Sequence, residues 1–103
     1  MADAIKIRVQ LTGEFAEIRI LLQHPMETGL RKDDKGQSIP LQFIQQFQVE
    51  LNGKPLIDGQ LNTSISRNPL FAFKAKAIRS GDKVAVNWTD NQGERRRDEI
   101  IIS

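Results

Sequence analysis

Apolar side chains recur at every second position through most of this chain, and that period constrains its fold more than any other feature. Ile5, Ile7, Val9 and Leu11 alternate with Lys6, Arg8 and Gln10. Only an extended strand places residues i, i+2 and i+4 on one face. The pattern returns in Ile18, Ile20 and Leu22 against Glu17, Arg19 and Leu21, and in Phe47, Val49 and Leu51 against Gln46, Gln48 and Glu50. It returns again in Phe71, Phe73, Ala75 and Ala77 against Lys74 and Lys76, and in Val84, Val86 and Trp88 against Lys83, Ala85, Asn87 and Thr89. Leu56 to Leu61 adds a short strand, with Gly59 read as a bulge, and Glu94 to Ile102 adds a last one. Turn residues punctuate the strands: Gly13, Asn52-Gly53, Ser80-Gly81-Asp82 and Asp90-Asn91-Gln92-Gly93. Asn52-Gly53 is the strongest hairpin signal. Residues 42–46 have room for one helical turn at most.

Seven short strands with turns at close intervals predict an all-β domain, an immunoglobulin-like β-sandwich of about seven antiparallel strands, with a barrel as the alternative. A chain of 103 residues holds one domain, spanning 1–103. It is not an antibody-type domain, because it has neither cysteine nor tyrosine. Trp88, on an alternating strand, is read as a core residue.

The composition excludes several kinds of chemistry. With no cysteine there is no disulfide, thiolate metal site or thiol nucleophile. One histidine is too few for the usual zinc sites without cysteine. No glycine-rich loop leads into a Lys-Ser/Thr pair, and Ser64 and Ser66 have no local histidine. No cofactor is expected. Fifteen basic residues mixed among thirteen acidic ones argue against nucleic acid as a partner. Arg95-Arg96-Arg97 lies among Glu94, Asp98 and Glu99 without interleaved aromatics, and reads as a charged arm guarding a sheet edge. No apolar run approaches bilayer-spanning length, so no membrane partner is expected. The first residues lack a basic and apolar leader, which predicts the cytoplasm unless the chain is exported with a partner that carries the signal.

The longest connection, from His24 to about Gln42, is where binding is expected, since loops on a rigid scaffold carry function. It opens on His24-Pro25-Met26-Glu27-Thr28-Gly29, with the only histidine of the chain. His24 and Glu27 meet as an acid/base pair only if the Pro-Met turn folds back. Otherwise His24 bonds backbone and stiffens the loop, or packs against a protein partner, which is the favoured reading. Met26 is expected exposed or half-exposed on a partner surface, or else plugging the end of the sandwich.

The string from His24 to Gly29, followed by Arg31-Lys32-Asp33, Gly36, Ile39-Pro40 and Phe43-Ile44, closely resembles the Z subunit of the sulfur-oxidation (Sox) carrier complex. Asn52-Gly53-Lys54, Ser66-Arg67-Asn68-Pro69, Gly81-Asp82-Lys83, Trp88, Asp90 and Gly93 extend the resemblance over essentially the whole chain. The resemblance implies an immunoglobulin-like sandwich that is not an enzyme. It implies a heterodimer with a SoxY-like carrier subunit, whose C-terminal cysteine carries sulfur intermediates in thiosulfate oxidation. It implies transient contact with the cycle enzymes of the SoxAX, SoxB and SoxCD types, and residence in the periplasm by co-export with the signal-bearing partner. A homodimer is expected as an option when the partner is missing. Partner contacts are expected from His24, Pro25, Met26, Glu27, Arg31, Ile39, Pro40 and Phe43. On this reading, aspartate at Met26 or Phe43 weakens the heterodimer and leaves the domain folded. A free-standing sandwich that binds a protein by strand addition is the alternative, and a small hydrolase using His24 and Glu27 is a third class.

Overall fold

The computed structural model describes residues 3–103. Alternation becomes seven strands: β1 (Lys6–Thr12), β2 (Phe15–Leu21), β3 (Ile44–Leu51), β4 (Lys54–Gln60), β5 (Leu70–Lys76), β6 (Lys83–Asp90) and β7 (Arg95–Ile101). All pairings are antiparallel. No helix forms among the described residues, and residues 42–46 run into β3 rather than making a helical turn.

One sheet has the order β1-β2-β5 and the other β4-β3-β6-β7. The two sheets close over one core, as a sandwich rather than a barrel. Ala16, Ile18, Ile20 and Leu22 meet Val49, Val84, Val86 and Trp88, all buried. Compared with a constant-type immunoglobulin domain, the fourth strand has moved to the opposite sheet, beside the third. The Asn52-Gly53 hairpin explains this, because both residues take positive φ (51° and 83°) and turn β4 tightly back on β3.

Two irregularities differ from simple alternation. Ile44 faces Asp90 and Gln46 faces Thr89, so Gln45 is an extra residue on β3. That bulge lets Ile44 and Phe47 both point inward although they are three apart. The second bulge lies where Val49 faces Ile57 and Glu50 faces Pro55, leaving Leu56 extra on the edge strand β4. Gly59 is therefore not the bulge. It pairs with Phe47, and a Cβ there would overlap the Phe47 ring. Phe47 in turn stacks on Phe71 of the other sheet, with ring centroids 4.9 Å apart. Ala77 also departs from expectation. It has left β5 at φ 62° and is exposed, while Ile78 turns into the core.

Gly59→Ala should force the Phe47 ring off its stack. The expected loss is about 1–3 kcal/mol, the usual cost of overpacking. A denaturant titration of wild type and variant checks it, and an unchanged midpoint would show that the ring has room to move.

Candidate functional site

Beyond β2 the chain stays extended for three residues. The Leu22 amide donates to the Pro69 carbonyl at 3.0 Å, the His24 amide to Asn68 Oδ1 at 2.9 Å, and the Asn68 amide back to the His24 carbonyl at 3.0 Å. Asn68 can do this because it sits at φ 51°, a left-handed conformation that asparagine tolerates. The Ser-Arg-Asn-Pro segment is thus a clamp on the backbone of His24.

His24 itself points inward and is 3% exposed. Its Nδ1 accepts the Met26 amide at 3.0 Å, and its Nε2 lies 2.9 Å from Asp90 Oδ2. An acceptor at Nδ1 places the proton on Nε2, which donates to the carboxylate. The ring meets Trp88 edge to face, with centroids 4.9 Å apart and planes at 88°. Asp90, 4% exposed, ends β6 on the face already taken by Val84, Val86 and Trp88. Its Oδ2 also accepts Gln42 Nε2 at 3.1 Å, and its Oδ1 accepts the Gln92 and Glu94 amides at 2.9 Å each. Burial pushes its pKa up, but the bonds from His24, Gln42 and the two amides outweigh this and hold it below the ordinary carboxylate value.

These bonds fix the base of the long connection, which is an ordered arm rather than a structureless loop. Glu27 and Gln42 exchange backbone hydrogen bonds, Ile39 donates to Arg31, Lys32 bridges Ser38, and Asp33 donates to Gln37. Asp33 Oδ1 closes the tip by accepting the Lys35 and Gln37 amides at 2.9 Å each. Residues 30–38 are all exposed. The β6–β7 turn grips the returning strand, since Asn91 Nδ2 and Gln92 Nε2 both donate to the Leu41 carbonyl.

The eight residues expected to meet a partner divide in two. Pro25, Arg31 and Pro40 are exposed, and Glu27, Ile39 and Phe43 are half-buried. Arg31 forks onto Glu27 through Nε and Nη2, which holds the Glu27 carboxyl below its ordinary value. Phe43 leans on the core, and its amide donates to Asn91 Oδ1 at 2.8 Å. His24 and Met26, by contrast, face inward. Met26 is 6% exposed and not half-exposed, because its Sδ turns in to accept the Ile44 amide at 3.3 Å. It holds φ 49°, a strained value for a bulky residue. Aspartate at Met26 therefore strikes the core, and loss of folding rather than of a surface contact is its expected effect.

The expected acid/base pair does not assemble. Both His24 nitrogens are engaged within the core, and Glu27 belongs to Arg31. Among the described residues no group of three or more metal-donor side chains converges. Asp90 was readable in principle. A carboxylate in phase with Val84, Val86 and Trp88 demands a buried partner. Gln42, Asn68 and Asn91 gave no comparable signal, because their positions depend on how the loops meet.

A carboxylate with a lowered folded-state pKa stabilises the fold above its unfolded value, about 3.9 for aspartate, and loses that contribution as pH falls through the folded value. Asp90 and Asp98 both have lowered values; for Asp98 the fork from Arg96 is the main cause, and the Ile5 amide adds to it. Stability should thus hold from neutral pH down to about 4 and fall below it. Asp90→Ala should cost about 3 kcal/mol by orphaning His24, Gln42 and two amides. Asp90→Asn should cost less and flatten the acid limb. Thermal melts from pH 3 to 7 check both, and an acid limb identical in Asp90→Asn would remove Asp90 as its source.

No curated protein matches the chain by sequence. A family model described as "Sulphur oxidation protein SoxZ" matches residues 5–100, which takes in the His24 clamp, the arm, Asp90 and nearly all of both sheets. The chain belongs to the SoxZ family of sulfur-oxidation proteins.

Proposed function

We propose that this chain is the non-catalytic scaffold subunit of a SoxYZ-type sulfur carrier. It binds a SoxY-like subunit whose cysteine carries the sulfur covalently, in thiosulfate oxidation in the periplasm. The observation that carries this reading is the family match together with the state of the one histidine. Its ring is sealed in the core with both nitrogens bonded, so it has no free atom to offer a substrate. The chain also lacks the thiol on which sulfur could ride.

The arm and its base are the region we assign to the carrier subunit. Leu30 is 86% exposed, and Leu41 and Pro40 lie open on the returning strand. An ordered hairpin bearing exposed apolar side chains binds at a low entropic cost. Pro25, Glu27 and Arg31 border it. The His24–Asp90 bond acts here by positioning, since it fixes the root of the arm without touching the partner.

Native mass spectrometry of the chain co-expressed with a cysteine-tailed neighbour tests the reading. A one-to-one complex is expected, with added sulfur mass on the partner alone after thiosulfate turnover. Leu30→Asp with Leu41→Asp should weaken that complex tenfold or more and leave the melting curve of the isolated chain unchanged. A chain that ignores the neighbour would sink the proposal.

A further inference from the structure

The outer faces of the two sheets carry very different charge. On the four-stranded sheet, Lys83, Arg95 and Arg97 lie among Asp58, Glu50 and Glu99. These charges are largely paired, with Arg97 bonded to Glu50 at 2.8 Å and Lys83 3.8 Å from Glu99. The outer face of β1-β2-β5 is built otherwise. The register places Lys6 beside Leu21 and Leu70, Arg8 beside Arg19 and Ala72, Gln10 beside Glu17 and Lys74, and Thr12 beside Phe15 and Lys76. Five of the fifteen basic residues lie here, with one of the thirteen acidic ones.

Arg8 and Arg19 are direct cross-strand neighbours, an arrangement that costs stability in the free domain. Both are exposed, and Glu17, bonded to Arg19, is the only carboxylate on the face. Shallow depressions of about 240 and 100 Å³ lie on this face, between Phe15 and Lys74 and between Gln10 and Glu17, and a third of about 580 Å³ runs from Arg19 and Leu70 over the β1 edge to Ile5, Ile7 and Ile100. Phe15 and Leu70 stand open at its two ends, 46% and 65% exposed.

We propose that this face is a transient docking surface for an acidic patch on an enzyme that acts on the carried sulfur. The proposal rests on the carrier reading above and adds the surface and the chemistry of the visitor. The centre of the face is charged, whereas stable interfaces are depleted of charge at the centre. This favours a short-lived encounter steered by charge over the permanent contact with the carrier subunit. Glu17, near the centre of the face, repels phosphate, which disfavours nucleic acid. An acidic protein surface can place a cation opposite Glu17.

The test uses the complex of this chain with its carrier subunit, and each purified enzyme that loads, oxidises or hydrolyses the carried sulfur in the same organism. Affinities are measured by surface plasmon resonance at 50 and 300 mM NaCl. At least one enzyme should bind more tightly at low salt. Arg8→Glu with Arg19→Glu should weaken it tenfold or more and remove most of the salt dependence. Lys54→Glu with Arg95→Glu, on the other sheet, should stay within twofold. Arg8→Gln with Arg19→Gln gives the same reading if charge reversal prevents folding. Equal binding by wild type and variant, or equal loss in the control pair, overturns the proposal. So does loss of the heterodimer itself in a folded Arg8/Arg19 variant, which would give the face to the carrier subunit. Tight binding of duplex DNA with no enzyme binding overturns it in favour of nucleic acid. A chain that forms no heterodimer at all is a failure of the carrier reading, seen by native mass spectrometry before any enzyme is added. Polyglutamate binding to the chain alone then reads the face: a tenfold loss in the Arg8/Arg19 variant supports an acidic partner, and no loss overturns it.

Discussion

The hydrogen bond between His24 and Asp90 organises the end of this sandwich. It joins the residue that leaves one sheet to the last residue of β6 in the other, and both are sealed from water. A buried carboxylate is tolerable only when its oxygens are satisfied. Asp90 meets that condition with four donors from three segments: His24, Gln42, and the turn into β7. The same bonds hold Met26 in its strained conformation, anchor the first residue of the arm and seat the arm's return beside the β6–β7 turn. Removing the carboxylate leaves each of these segments with an unmet donor.

Much of the fold could be read from alternation, because the side-chain period of a strand is a property of the local backbone. All seven strands lie within a few residues of where the pattern places them, and Trp88 is in the core. The failures occur where a single tertiary contact outvotes the pattern. Gly59 resembles a bulge in isolation, yet it is there to admit the Phe47 ring. The bulge at Gln45 has no residue of distinctive type, and only the pairing with β6 reveals it.

The way the side chains of the His24–Gly29 string turn was not legible in the sequence. The string places His24 and Met26 at the start of the long connection. A histidine beside a proline, however, gives no indication of which way its ring turns, and Met26 serves equally well as a surface or a plug. Asp90 decides the matter, and it lies 66 positions away. The Arg8–Arg19 pair was hidden for the same reason. Each arginine looks like an ordinary polar position in its own strand, and their conflict exists only after β1 registers on β2.

That separation also sets an order of events in synthesis. The clamp on His24 needs Asn68, and the acceptor for its ring is residue 90. A ribosome must therefore pass residue 90 before the base of the arm can close. Until then residues 24–42 lack their anchor, and their apolar side chains are free to pair elsewhere. The arm therefore gains its shape much later than its early place in the sequence would suggest.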